Sequence, residues 1–241
     1  MFQRFRAFAH VATYLGAVVI AGIWIGAFYL ATKEHRRAYE DGIRQGDNLA
    51  RVFEEYISGV IGGADGMLLT LRDSYERAPR DFKIPSQIHH KQLQNIIRGF
   101  AIVGTDGLYK LSSAQDRLSN INVSDREYFR FHANSNADEI HISEPFVGRV
   151  SGRSIFQLTR RLRKANGSFG GVILASIDIR QLQQFYNSIN IGPEGIVSLV
   201  GFDGVIRARS GRDPVAQDFI GQSIPQTKLF AQPGLDRYGP E

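Results

Sequence analysis

The stretch Phe100-Ala-Ile-Val-Gly-Thr-Asp-Gly-Leu-Tyr-Lys-Leu-Ser-Ser113 recurs in outline 97 residues later, as Val197-Ser-Leu-Val-Gly-Phe-Asp-Gly-Val-Ile-Arg-Ala-Arg-Ser210. Both copies contain Val-Gly, one variable residue and Asp-Gly between apolar residues. An Asp-Gly pair between two apolar runs is the strongest short signal for a β-hairpin. The repeat therefore predicts two hairpins, and its spacing predicts two domains of similar size in tandem.

The residues that follow the first hairpin predict the rest of an α+β module. Ser124-Asp-Arg-Glu127 has the pattern of a capping box and predicts a helix that reaches about Ala133. Three strands are expected after it, at Ile140 to Glu144, Ser154 to Leu162 and Gly171 to Ile179. The turn Asn166-Gly167 joins the last two strands. An antiparallel sheet with helices on one face can enclose a small pocket.

Residues 33–78, which precede the first hairpin, are predicted to form a long helix. Apolar residues recur there at steps of three and four, which is helical spacing. They include Ile43, Leu49, Val52, Phe53, Tyr56, Ile57, Val60, Ile61, Met67, Leu68 and Leu71. Such a stripe indicates packing against the following domain, and a dimer seam is the alternative.

A membrane segment is predicted near the N-terminus, from Val11 to Ala31. These 21 residues contain no charged side chain, and about 20 apolar residues are enough for a helix to cross a bilayer. A cleaved signal peptide is the alternative, but no convincing small-residue cleavage site follows the segment. Basic residues flank it almost equally on both sides, so charge alone leaves its orientation open.

The composition excludes several classes of protein. The chain of 241 residues is 43% hydrophobic, which is ordinary for a folded protein. It contains no cysteine, so disulfide frameworks, thiolate metal sites and cysteine nucleophiles are excluded. The formal net charge of +5 is mild. No phosphate-binding loop, catalytic triad or pair of catalytic carboxylates is present in the pattern, so neither an enzymatic activity nor a metal or cofactor is expected.

Several motifs together resemble the double Cache sensor region, a PAS-like module, of bacterial transmembrane signalling proteins. The motifs are Asp125-Arg-Glu-Tyr-Phe-x-x-His132, Ile142-Ser-Glu-Pro-x-x-Gly-Arg-x-Ser-Gly-Arg153, Thr159-Arg-Arg-Leu162, Gly167-x-Phe-Gly-Gly-Val172 and Gly192-x-x-Gly-x-x-x-Leu-Val-Gly-x-Asp-Gly-x-x-Arg-Ala-Arg209. The resemblance extends from Lys33 to about Phe230. It implies a ligand-sensing region outside the cytoplasm of a bacterial cell, an anchor in the inner membrane and a cytoplasmic N-terminus. It also implies a separate output domain, such as a diguanylate cyclase or a histidine kinase.

The resemblance and the repeat together predict the domain organisation. A complete second module at the repeat spacing would extend beyond Glu241, so we expect a fragment of a longer receptor or a truncated reading frame. The expected parts are a cytoplasmic N-terminus at 1–10, a membrane helix at 11–31, a connecting helix at 33–78, a membrane-distal module at 79–190 and the start of a second module at 191–241.

Arg126, Tyr128 and His132 are the first candidate ligand-binding residues, since they lie where the pocket of such a module is expected. A guanidinium can hold a carboxylate by two parallel charge-assisted hydrogen bonds, and a solvated arginine is the alternative for Arg126. Tyr128 offers a hydroxyl or packs the helix on the sheet. His132 lies on the same helix face as Tyr128. Its possible roles are those of an anion ligand, a pH sensor or a core residue. Asp125 is expected to help the helix begin.

Arg160 and Asp178 are the remaining candidates. Alternation along the strand from Ser154 places Arg160 on one face with Phe156 and Leu158, and Arg161 on the other. Arg160 is either an anion partner or the partner of a buried acid such as Asp178. In the branch of the family that binds amino acids, an aspartate at the position of Asp178 takes the ligand's ammonium group and an Arg-x-Trp-Tyr motif takes its carboxylate.

The corresponding motif here is Arg126-Glu-Tyr-Phe129, which lacks the tryptophan. A small organic acid is therefore the expected ligand, ahead of an amino acid or an amine. The loop Arg149-Val-Ser-Gly-Arg153 is either an anion-binding loop or a tight turn. The sequence thus predicts a membrane-bound sensor that forms a homodimer and does not bind nucleic acid. The rival hypothesis is a module that binds no ligand and only sets the spacing of a dimer.

Overall fold

The computed structural model describes residues 2–84, 93, 95–114, 120–192, 194–211 and 218–225, without the side chains of residues 2–19, 21, 31 and 35–38. The chain divides into two compact units, residues 1–54 and residues 55–241. The first unit is helical throughout its described length. The second contains the sheets and the candidate site.

Helix α1 spans Phe2–Arg77 and confirms the long helix predicted from the apolar stripe. Within the second unit its buried residues are three members of that stripe, Ile57, Val60 and Leu68, together with Ala64 at the same helical spacing. Packing within the domain, the first interpretation of the stripe, is therefore confirmed for this part of the helix.

The predicted membrane segment lies at the start of α1. Among the residues whose side chains are described, no helix is long and apolar enough to cross a bilayer. The predicted segment itself falls largely outside that set, since residues 11–19, 21 and 31 are not among them.

The sheet that follows has six antiparallel strands. They are β1 (Ile97–Val103), β2 (Tyr109–Ser112), β3 (His141–Ile142), β4 (Phe146–Val147), β5 (Ser154–Arg163) and β6 (Phe169–Asp178). Their order is β2-β1-β6-β5-β3, and β4 also pairs with β5. A second sheet consists of β7 (Ile196–Val200) and β8 (Ile206–Gly211). Helix α2 (Glu127–Asn134) lies between β2 and β3, and α3 (Ile179–Asn187) follows β6. The α+β prediction is confirmed.

Both predicted hairpins are present. The first joins β1 to β2 and the second joins β7 to β8, each as an antiparallel pair. The turn glycines, Gly107 and Gly204, have φ of 76° and 81°. Only glycine adopts this region without a steric cost, so the repeated Asp-Gly pair is what closes both turns.

Both faces of β5 are buried, and they meet different helices. On the even-numbered face, Phe156 and Leu158 are buried and Arg160 contacts Asp65 of α1. The odd-numbered residues face α2, where the hydroxyl of Thr159 bonds with His132. The alternation predicted from the sequence is therefore confirmed, with one helix layer on each side of the sheet.

The predicted capping box is wrong. Helix α2 begins at Glu127, and its N-cap residue is Arg126, whose side chain makes no capping hydrogen bond. The Ser124 hydroxyl instead bonds to Asn122 Oδ1 at 2.7 Å. Asp125 pairs with Arg149. Because both polar side chains are used by neighbouring loops, neither caps the helix.

The predicted strand from Ile140 to Glu144 is present only as the short strand β3, and β4 is a second short strand that follows it outside the predicted range. Ser143, between them, accepts the backbone N–H of Gln157 through its side-chain hydroxyl at 2.9 Å. The ladder to β5 is therefore interrupted here, and Pro145, which has no N–H, follows directly.

Candidate functional site

A cavity of about 250 Å³ lies between the sheet and the layer formed by α2 and the β4–β5 loop. Strands β1, β2, β5 and β6 form its floor, and the segment Gly148–Arg153 forms much of its wall. This volume is just below the usual range for small-molecule sites, so a small metabolite would fit.

The charged side chains that line this cavity are all basic among the residues that the structure describes. Arg98, Arg126, Arg149 and Arg153 all line it, and among the described lining residues there is no aspartate or glutamate. A concave, partly apolar surface lined with positive charge concentrates anions. The cavity is therefore suited to an anionic ligand.

Arg126 is a half-buried arginine of this cavity whose hydrogen-bonding capacity is only partly used. Its Nη2 donates a weak hydrogen bond to the carbonyl oxygen of Val147 at 3.3 Å, and its guanidinium lies 4.5 Å above the ring of Phe146. Its Nε is buried and has no hydrogen-bond partner in the part of the chain that the structure describes. A buried donor without a partner costs about 1–3 kcal/mol, and a ligand oxygen would supply that partner.

Tyr128 and Gln157 add two more unsatisfied polar atoms to the same cavity. Among the described residues, no partner meets normal hydrogen-bond geometry with the buried Tyr128 hydroxyl or with Gln157 Oε1, although the Tyr109 side chain lies beside both. Burial, followed by the neighbouring Tyr109, raises the pKa of Tyr128. Tyr128 therefore stays protonated and can donate a hydrogen bond to an acceptor on a ligand.

Arg149 and Arg153 already have acidic partners outside the cavity. Arg149 makes two parallel hydrogen bonds to Asp125, at 2.8 and 2.7 Å, and this guanidinium lowers the pKa of Asp125 to about 2. Arg153 lies 3.2 Å from Asp178. Both ends of the β4–β5 loop are thus attached to the module by ion pairs.

The structure brings two of the five predicted site residues to the cavity, Arg126 and Tyr128. Arg160 lies on the opposite face of the sheet, because its guanidinium points to α1. There Nε and Nη2 bond to the two carboxylate oxygens of Asp65, at 2.5 and 2.8 Å. Of its predicted roles, that of partner to a buried acid fits this position, although the acid is Asp65 and not Asp178.

Asp178 lies on the cavity side of β6, as its alternation with Leu174 and Ser176 predicts, but it does not line the cavity. Its side chain is fully buried. One carboxylate oxygen accepts the backbone N–H of Arg180 as the N-cap of α3, and the other faces Arg153. Both oxygens therefore already have partners.

His132 is buried in the layer between α2 and the sheet. Its Nε2 bonds with the Thr159 hydroxyl at 3.0 Å, which fits the core role that was weighed for it. Burial, followed by the nearby His141 and then by Arg161 and Arg160, lowers the pKa of His132 to about 4.

The depressed pKa of His132 predicts a pH dependence of stability. The ring is neutral in the folded chain, and the unfolded chain takes up a proton below about pH 6.5. Stability is therefore complete above that pH and falls as the pH decreases toward about 4, by about 1 kcal/mol per pH unit. Urea unfolding between pH 4.5 and 7.5 measures it. We expect a flatter dependence for His132→Gln, and parallel curves would contradict this assignment.

Some lining residues were not singled out from the sequence. Gln157 and Ser176 face the cavity from neighbouring strands, joined by a hydrogen bond of 3.4 Å. Strand alternation gave the signal, since Gln157 lies on the α2 face of β5. Arg98, at the start of β1, belongs to none of the sequence motifs, so no signal pointed to it. The loop from Arg149 to Arg153 was recognised, and both of its arginines line the cavity.

Comparison by sequence identifies no relative for this chain. No known protein family matches it, and no curated protein matches it either.

Comparison by structure finds clear matches. The extracellular domain of rpHK1S-Z16, named as a histidine kinase, matches with a TM-score of 0.62 and 26% identity, over 77% of this chain and 75% of that one. The ligand-binding domain of the Pseudomonas fluorescens chemoreceptor CtaA, with L-alanine, has a TM-score of 0.52 and 17% identity, over 77% and 78%. The ligand-binding domain of the Pseudomonas aeruginosa chemoreceptor PctC, in complex with GABA, has a TM-score of 0.54 and 16% identity, over 79% of this chain and 82% of that one.

The predicted resemblance is confirmed at the level of the fold. The first of these structures is an extracellular domain and the other two are ligand-binding domains of chemoreceptors, and the chain shares their arrangement of a long helix followed by an antiparallel sheet.

Proposed function

We propose that this chain, which has the fold of the Cache-type sensor domains, is the ligand-sensing region of a membrane-anchored receptor and binds a small carboxylate metabolite. The observation that carries the proposal is the cavity itself. It gathers four arginines without a lining acid in the described residues, and among those residues no partner meets normal hydrogen-bond geometry with the buried Arg126 Nε, Tyr128 hydroxyl or Gln157 Oε1. A planar carboxylate held by Arg126 would satisfy the first two of these atoms.

The state of Asp178 favours an organic acid over an amino acid. Crystal structures show the ligand-binding domain of the chemoreceptor CtaA in complex with L-alanine and with L-serine, so a ligand with an ammonium group is the obvious alternative. An ammonium group needs an acceptor, and Asp178 is the acid that the resemblance assigns to it. Here that carboxylate is used by Arg153 and by the N-terminus of α3. An amino acid would have to displace Arg153 first.

The anchor, the dimer and the output domain belong to the same proposal. The uncharged run Val11 to Ala31 supports a membrane helix, with the sensor in the periplasm and the N-terminus in the cytoplasm. The receptor would act as a homodimer and signal to a diguanylate cyclase or a histidine kinase. A shift in population between two packings of the module would carry the signal.

A calorimetric titration of the purified 241-residue chain with a panel of small carboxylates tests the proposal. We expect at least one carboxylate to bind. For Arg126→Ala we expect about 30-fold weaker binding, because a hydrogen bond to a charged group contributes about 2 kcal/mol. Arg130→Ala is the matched control, since Arg130 is an exposed arginine on the same helix, and it should bind like the wild type.

Two outcomes of that titration would contradict the proposal. If no carboxylate binds to the chain, the result favours the rival hypothesis of a ligand-free dimerisation module. If Arg126→Ala and Arg130→Ala bind equally well, the carboxylate is held elsewhere, and the assignment of the cavity is wrong.

A further inference from the structure

The arginines of the cavity fall into two classes, those with an acidic partner and those without. Arg149 and Arg153 have Asp125 and Asp178. Arg98 and Arg126 make no ion pair with any residue that the structure describes. The wall of the cavity therefore carries about two positive charges that the described protein does not compensate.

These two charges differ in their surroundings. Arg126 is half-buried against the ring of Phe146, and its Nε is shielded from solvent. Arg98 is exposed and comes from the start of β1, whereas Arg126 comes from the N-terminus of α2. A charge that is partly removed from water without an anionic partner is costly, so an anionic group at Arg126 would stabilise it. The charge at Arg98 attracts a second one.

Apolar side chains also line the cavity. They include Ala101, Val123, Phe146, Ile155 and Leu174. A compact anion such as inorganic phosphate would leave these side chains without a partner. A short hydrocarbon chain would cover them, and burying each CH₂ is worth about 0.8 kcal/mol.

We propose that the ligand is a dicarboxylate with a short hydrocarbon spacer. One carboxylate binds Arg126 and accepts a hydrogen bond from the Tyr128 hydroxyl, and the other is bound by Arg98. The inference rests on the proposed function and specifies the chemical class of its ligand.

Titration of the full chain with matched probes tests this inference. Succinate and butyrate have the same number of carbon atoms and differ by one carboxylate, and inorganic phosphate tests a compact anion. For the wild type we expect succinate to bind at least tenfold more tightly than butyrate and than phosphate. Arg98→Ala should bind succinate about tenfold more weakly and leave butyrate unchanged. Arg126→Ala should weaken the binding of both.

The outcomes separate the two proposals. If succinate and butyrate bind equally, if phosphate binds more tightly than succinate, or if Arg98→Ala weakens both carboxylates alike, the dicarboxylate inference is wrong and a carboxylate sensor remains. If a wider panel of carboxylates also fails to bind, the proposed function fails with it. Arg130→Ala again serves as the control for loss of surface charge.

Discussion

Asp65→Asn is expected to lower the free energy of unfolding by about 3 kcal/mol. Asp65 joins α1 to β5 through two hydrogen bonds to Arg160, whose side chain is only 10% exposed. Removing one member of such a pair leaves a buried charge without its partner, which costs about 3–5 kcal/mol in proteins. Asp138 lies 3.5 Å from Arg160 and compensates part of the loss, so the lower end of that range applies.

Asp73→Asn provides the matched control for this prediction. Asp73 lies on the same helix, but its side chain is 61% exposed. It forms a long ion pair with Arg72, with 3.6 Å between the carboxylate and Arg72 Nε. An exposed pair contributes about 0–1 kcal/mol. Urea unfolding of the two variants measures the difference. Equal destabilisation would mean that the contact between Asp65 and Arg160 does not hold the helix on the sheet.

Gly171→Ala is expected to be more damaging, with a loss of about 4 kcal/mol or a failure to fold. Gly171 lies in β6 with φ of 124°, and a Cβ atom there would come 2.1 Å from the carbonyl oxygen of Val103. The clash is with the backbone of β1, so no side-chain rotation relieves it. A strained backbone alone costs about 1–3 kcal/mol, and the separation of the two central strands adds to that.

Gly167→Ala separates the two causes. Gly167 also has a positive φ, 79°, but a Cβ atom would meet nothing within 4 Å. We expect a loss of about 1 kcal/mol from the left-handed conformation alone. Thermal unfolding of both variants gives the comparison. If Gly171→Ala is no less stable than Gly167→Ala, the close approach of β6 to β1 is not what requires a glycine.

The elements that the sequence predicts well are those that local chemistry determines. The Asp-Gly pairs close their turns by themselves, and the alternation of Phe156, Leu158 and Arg160 follows from strand geometry. Both signals depend only on neighbouring residues. For the same reason the fold class could be predicted, whereas the placement of Arg126 and Tyr128 at a pocket came from the resemblance to Cache sensor modules.

The features that the sequence did not predict depend on distant partners. The capping box failed because the Glu127 carboxylate, which would reach back to the N-cap, lies 2.6 Å from Nε2 of His141, 14 residues later. Similarly, Arg160 is bound by Asp65, which lies 95 residues earlier. Ser143 ends a strand because its hydroxyl meets Gln157. A single sequence contains no signal for such pairings, since each residue alone is compatible with either outcome.

Strand β5 has a mechanical consequence for the module. Its residue Gln157 forms part of the cavity floor, and Arg160, three residues later, bonds to α1 through the opposite face. The two positions are about 10 Å apart on one extended backbone, with no hinge between them. A sliding of β5 along its own axis must therefore move both contacts by the same distance, so the strand acts as a rigid rod shared by the binding cavity and the helix.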